Sequence, residues 1–332
     1  MTIALHVLLV GGFALVLSLA LAPMESLGWW AGWLGPDPED EPAQPPPAAD
    51  AGDAPPACFV VFLSGIGSIS GDELLPAETA FLDRLQAALP EARIVRDVFP
   101  YAPSGRQLLT GQRVFSWLWR RVLDWRLNGT RLLPALLNVR NLFQVLVSAD
   151  HRYGPLYSFG IARVARERLE AHGYRPESRT PVVLLGSSGG GQISVGAATF
   201  LGAELDAPLA IVTFGGVMAS DRGIEEVTRL ASLYGTDDKV YALGRTIFPG
   251  RWPLASASFW NVARSEHRLS ERAIGPMGHS GRGGYLDAEP RADNEPFLER
   301  TVGAVAAAVR DALSAQPPGP GSRPSISSTS TG

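Results

Sequence analysis

Apolar runs that end in glycine, separated by stretches with helical spacing, restrict this chain more than any other feature. "CFVVFLSG" (Cys58–Gly65), "TPVVLLG" (Thr180–Gly186) and "PLAIVTFGG" (Pro208–Gly216) are apolar at successive positions rather than alternate ones. A strand without a polar face must be covered on both sides, which is the situation of a parallel sheet between layers of helices. The text between these runs supplies the helices. "PAETAFLDRLQAALP" spaces Phe81, Leu85 and Leu89 four apart between two prolines, and "YSFGIARVARERLEAHG" does the same with Ile161, Ala165 and Leu169 before Gly173, a C-terminal stop. "GQISVGAATFLGAEL" reads as a helix of small residues, and "NEPFLERTVGAVAAAVRDAL" as a closing helix with Asn294 at its N-cap and Pro296 in its first turn. "ARIVRDVF" (Ala92–Phe99), "TRLASLYG" (Thr228–Gly235) and an irregular stretch within "HRLSERAIGPM" (His267–Met277) add strands. Alternation of this kind predicts an α/β fold: a mostly parallel central sheet with helices on both faces.

The chain around that fold divides by composition. Residues 1–35 begin with Ile3–Ala22, almost unbroken hydrocarbon and about the length that crosses a bilayer. "LGWWAGWLG" follows, with three tryptophans suited to a membrane interface. The reading is an N-terminal transmembrane helix, a single-pass anchor. The alternative is a cleaved signal peptide, since Ala20–Ala22 resembles a cleavage site, although a basic n-region is missing and Pro23 would follow the cut. No arginine precedes Arg84, so sidedness is not legible. Residues 36–56, rich in proline and acids, read as a disordered linker, and residues 315–332 as a disordered tail. The folded domain is expected at 57–314, with one insertion at about 103–153 that is too long for an ordinary connection. "RVFSWLWRRVLDWRL" (Arg113–Leu127) and "RLLPALLNVRNLFQVLVSA" (Arg131–Ala149), the second interrupted by Pro134 and Arg140, read as a helical cap packed on the core, or alternatively as a lid lying on a membrane surface.

Charge narrows the function classes. With 29 basic against 33 acidic residues and no basic ladder interleaved with aromatics, nucleic acid is not an expected partner. Cys58 is the only cysteine, which excludes an intrachain disulfide and a cysteine-based metal site.

The chemistry concentrates in "VVLLGSSGGGQIS" (Val182–Ser194). Gly186, Ser188 and Gly190 spell G-x-S-x-G directly after a buried strand and before a helix, the context in which a sharp turn lifts a serine above a sheet. Serine is a weak nucleophile and needs a base held by a third group. Asp238, three residues past Gly235, and His279, in the glycine-rich loop of "GPMGHSGRGGYLD", follow in the order serine, acid, histidine; Asp237 is the alternative acid. His151 and His172 precede the acid, and His267 sits in the charged run "RSEHRLSER". "GIGSISG" (Gly65–Gly71) is a poor dinucleotide loop, because no helix directly follows it and Asp97 lies inside the next strand.

These motifs resemble the nucleophile elbow and triad order of the α/β-hydrolase superfamily, over roughly residues 57–314 by element order. The resemblance implies a serine hydrolase that cleaves an ester or thioester, lipidic ones included, with Ser188, His279 and Asp238 as the triad and no cofactor or metal. The N–H of Gly189 would form one half of the oxyanion hole. "FLSGIGS" (Phe62–Ser68) would supply the other through Ile66, although the superfamily usually carries a His-Gly pair there and this chain has Ser64 in place of the histidine. The competing reading is a catalytically silent hydrolase fold serving as a membrane-tethered binding module.

Overall fold

The computed structural model describes residues 55–67, 74–101, 132–290 and 295–314. The expected anchor and tail, residues 36–54 of the expected linker, Asn294 and the Arg113–Leu127 segment lie outside these residues. Six strands, β1 (Cys58–Leu63), β2 (Ala92–Val95), β3 (Val182–Ser187), β4 (Leu209–Phe214), β5 (Arg229–Gly235) and β6 (Leu269–Gly275), form one sheet in the order β2-β1-β3-β4-β5-β6. Every neighbouring pair is parallel. The described helices are α1 (Pro76–Ala88), α2 (Leu132–Ala149), α3 (Gly154–Ala171), α4 (Gly190–Glu204), α5 (Lys239–Ile247), α6 (Phe259–Ser265) and α7 (Phe297–Ser314).

The unbroken apolar strands are explained by burial on both faces. Phe59, Val61 and Leu63 of β1 enter one core with side chains of α2, α3, α4 and α6, while Cys58, Val60 and Phe62 enter the other with α1 and α7. Neighbouring residues on a strand point to opposite faces, so both sets must be apolar. Burial also pushes the Cys58 thiol up to about 11, with Glu91 adding to the effect.

Three boundaries differ from expectation. β2 stops at Val95, and Asp97 instead pairs with His172 at 3.0 Å and Arg168 at 3.5 Å. Residues 132–149 form one uninterrupted helix rather than a broken segment. Pro134 falls in its first turn, where no intrahelical acceptor awaits its nitrogen, and Arg140 donates to the Tyr101 carbonyl at 3.1 Å. The closing helix starts at Phe297, so Pro296 precedes it rather than lying within its first turn. Among the described residues no helix is long and apolar enough to cross a membrane.

Candidate active site

The chain runs from β1 to β2 on one side and returns to β3 on the other, so the strand order reverses at the β1/β3 pair. Crossovers that diverge at such a switch point leave a crevice beyond the carboxyl ends of the two strands. Leu63 of β1 lies opposite Gly186 of β3, and the loops that leave these ends are Ser64–Gly67 and Ser188–Gly189.

Ser188 sits at the top of β3 with φ of 51°, in the left-handed region that a side chain occupies only when the surroundings impose it. Three backbone hydrogen bonds do so. The Ser188 N–H donates to the Phe214 carbonyl at 3.2 Å, and its carbonyl accepts from Gly191 at 3.0 Å and Val217 at 3.1 Å. Glycine is required on both sides of the turn for clearance. A Cβ on Gly186 would stand 2.7 Å from the Gly191 Cα, and one on Gly190 would stand 2.1 Å from the Leu63 carbonyl oxygen.

Asp238 is the N-cap of α5. Its Oδ1 accepts from the N–H groups of Val240 and Tyr241, each at 2.9 Å. Its Oδ2 accepts from His279 Nδ1 at 2.9 Å and from the Tyr285 hydroxyl at 2.7 Å. Burial by itself would raise this carboxyl. The donors His279, Tyr241 N–H and Tyr285 outweigh burial and hold it below the ordinary aspartate range. An ionised carboxylate only accepts, so Nδ1 of His279 carries the proton, and in the neutral ring Nε2 is then an acceptor. Nε2 lies 2.8 Å from Ser188 Oγ. His279 is held on its loop by the Gly278 N–H, which donates to the Gly283 carbonyl at 2.8 Å, and by Asp287, which accepts from the Gly283 N–H at 2.6 Å.

The structure thus brings Ser188, His279 and Asp238 into one hydrogen-bonded chain. The other candidates stand apart. Asp237 is exposed beside Thr236, His172 is occupied by Asp97, and His151 and His267 are exposed. Gly189 and Ile66 are neighbours across the crevice, since a Cβ on Gly189 would meet the Ile66 Cγ2 at 3.0 Å. Among the described residues neither of their N–H groups has an acceptor. The Ile66 loop is fixed from two sides, by the Tyr101 hydroxyl donating to the Ser64 carbonyl at 2.7 Å and by Asn141 of α2 donating to the Ile66 carbonyl at 2.7 Å. No group of three or more His, Cys, Asp and Glu among the described residues is placed to hold a metal ion.

Tyr285, which sequence reasoning passed over, closes the arrangement. Its hydroxyl accepts from the Gly235 N–H at 2.8 Å while donating to Asp238, and burial, together with that carboxylate, raises its pKa and keeps it protonated. Its only textual signal is a tyrosine in the same glycine-rich loop as the histidine. Because the folded-state pKa of Asp238 is depressed, its charge stabilises the fold above the unfolded pKa, and this contribution is lost as pH falls through the folded value. Tyr285→Phe removes one donor to the charge and is expected to cost about 2 kcal/mol at neutral pH. Urea unfolding across pH should show that deficit narrowing below the ordinary aspartate pKa.

No protein-family model matches the chain, and a search of curated proteins finds no match.

Proposed function

We propose that the chain is a serine hydrolase of the α/β-hydrolase superfamily that cleaves esters or thioesters through an acyl-enzyme. The observation that carries the reading is the continuous Ser188–His279–Asp238 chain at the mouth of the β1/β3 crevice. Ser188 Oγ attacks the carbonyl carbon of the substrate while its proton passes to His279 Nε2. Asp238 stabilises the imidazolium and fixes its tautomer. The oxyanion is received by the Gly189 and Ile66 N–H groups. Collapse expels the alkoxide or thiolate, which takes the proton from Nε2. Water then repeats the sequence on the acyl-serine, losing its proton to His279 and releasing the acid.

The crevice walls favour an apolar acyl group. Ile66 and Val145 approach Gly189, so the described wall beside the serine turn is aliphatic. With the Ile3–Ala22 run as a membrane tether, the favoured substrates are lipidic esters. Ser64 occupies the place where the superfamily usually has histidine, and here the loop is positioned instead by Tyr101 and Asn141.

The alternative reading is a catalytically silent fold that serves as a membrane-tethered binding module. Stopped-flow hydrolysis of a p-nitrophenyl ester separates the two readings. An acyl-enzyme releases a burst of p-nitrophenolate, one per chain, before the steady state. Absence of both burst and turnover favours the binding module.

A further inference from the structure

Large apolar side chains are exposed together on one part of the surface. Val240, Leu243 and Ile247 of α5 are each more than two-fifths exposed, and Leu254 is 94% exposed. At 100° per residue the three α5 positions fall within about 60° of one another, away from the buried Tyr241, with the buried Gly244 bordering the stripe beside Val240. Such a stripe normally faces a core. Here it faces outward, on a helix that begins at Asp238, the residue hydrogen-bonded to His279.

The turn that carries the apolar group on from α5 is rigid. Trp252, 45% exposed, anchors its indole N–H on the Thr246 carbonyl at 3.0 Å, which leaves the apolar part of the ring available and extends the stripe beyond Ile247. The Asn261 side-chain amide donates to the Trp252 carbonyl at 2.8 Å and the Ala255 carbonyl at 2.9 Å. Ser258 Oγ donates to the Gly250 carbonyl at 2.6 Å. Leu254 is therefore held in water by a hydrogen-bonded frame rather than by a slack loop. Ordering such a tip before it binds removes an entropic cost from binding.

We infer that α5 and the Trp252–Leu254 turn form a docking surface for a lipid bilayer, and that the candidate active site meets its substrate there. The stripe has the composition of an interfacial helix, with Leu, Ile and Trp toward lipid and the exposed Lys239 at its flank, while Arg245 lies on the other side of α5, 3.9 Å from Glu271. Among the described residues Lys239 makes no ion pair, so its charge is available to anionic headgroups. The chain outside the structure also argues for a bilayer as the occupant. Residues 36–54 can reach at most about 65 Å from a membrane held by Ile3–Ala22. A domain of this size is about 45–50 Å across. The tether therefore permits any face to touch the bilayer, and the apolar stripe selects one. Since the tether already holds the domain near lipid, a modest patch suffices.

The inference rests on the membrane tether proposed above, and its first test makes no reference to catalysis. The full chain is placed in phosphatidylcholine vesicles containing phosphatidylglycerol as the minor lipid, with an NBD fluorophore on Leu254→Cys. Cys58 is buried and its thiol is pushed up, so it does not compete for the label. A second preparation carries the label on Asp83→Cys, on α1 beside the opposite edge strand. Doxyl-labelled lipid is expected to quench the label at position 254 by at least about threefold more than that at position 83, as burial in the headgroup boundary requires. Leu243→Ser with Leu254→Ser should lower turnover of a long-chain ester carried in the vesicle by about tenfold and leave a short soluble ester within about twofold. Equal quenching at the two positions overturns the inference. So does a blue shift at position 254 without lipid quenching, which would mean that protein covers the surface. If the double variant loses no activity on the vesicle ester although position 254 is quenched, docking stands and its link to substrate entry falls. A chain with no esterase activity that still shows the quenching would defeat the proposed function alone.

Discussion

Asp238→Asn is expected to lower kcat on a soluble ester by about 10,000-fold while leaving the domain folded. The two effects separate because the carboxylate has two faces. Oδ1 caps α5 through Val240 and Tyr241, and an asparagine oxygen caps a helix about as well as aspartate does. With the amide oxygen held there, the amide nitrogen occupies the place of Oδ2, where His279 Nδ1 and the Tyr285 hydroxyl both donate. A donor now faces donors. The imidazole responds by adopting the other neutral tautomer, which places a proton on Nε2, 2.8 Å from Ser188 Oγ. Ser188 then has no base. Circular dichroism and thermal unfolding should show a stability change of about 1–2 kcal/mol, of the size of one lost charged hydrogen bond. A loss of only about tenfold in kcat would mean that the carboxylate does not set the histidine tautomer during turnover.

Much of the Ser188–His279–Asp238 arrangement is written in local motifs. The strands β1, β3 and β4 are legible since nearly every position is apolar, Ser187 at the end of β3 and Thr213 in β4 excepted, and burial on two faces produces that text. The serine turn is legible because its glycines answer to clearances of a few ångströms between residues close in the chain, apart from the Leu63 carbonyl against Gly190. Acid and histidine are legible as residues just beyond strand ends. "ARIVRDVF" predicts a longer strand than β2, because apolar residues report burial, not pairing. Val98 and Phe99 are buried, yet the backbone has already left the sheet. The break expected within residues 131–149 reflects a similar limit, because Arg140 finds its acceptor on Tyr101, 39 positions away. Tyr285, Tyr101 and Asn141 were not legible at all. Their partners Asp238, Ser64 and Ile66 lie 47, 37 and 75 positions away, and no local pattern encodes those meetings.

The serine itself carries the largest expected effect. Ser188→Ala removes the atom that forms the acyl bond, and in an enzyme that works through a covalent intermediate such a loss is on the order of a million-fold in kcat. The substitution also relieves nothing in the backbone, because alanine carries the same Cβ into the same left-handed conformation, so stability should hold close to that of the parent. The oxyanion donors and the histidine would stay in place, which leaves binding of an ester largely unaffected while chemistry stops.

Intact-mass spectrometry after exposure to a fluorophosphonate tests the nucleophile most directly, since the phosphonyl group bonds only to a serine activated by its base and remains on it. The full chain is predicted to gain one phosphonyl group, with peptide mapping placing it on Ser188, and Ser188→Ala is predicted to gain none. An unlabelled parent chain, or a label that persists in Ser188→Ala, would contradict the account.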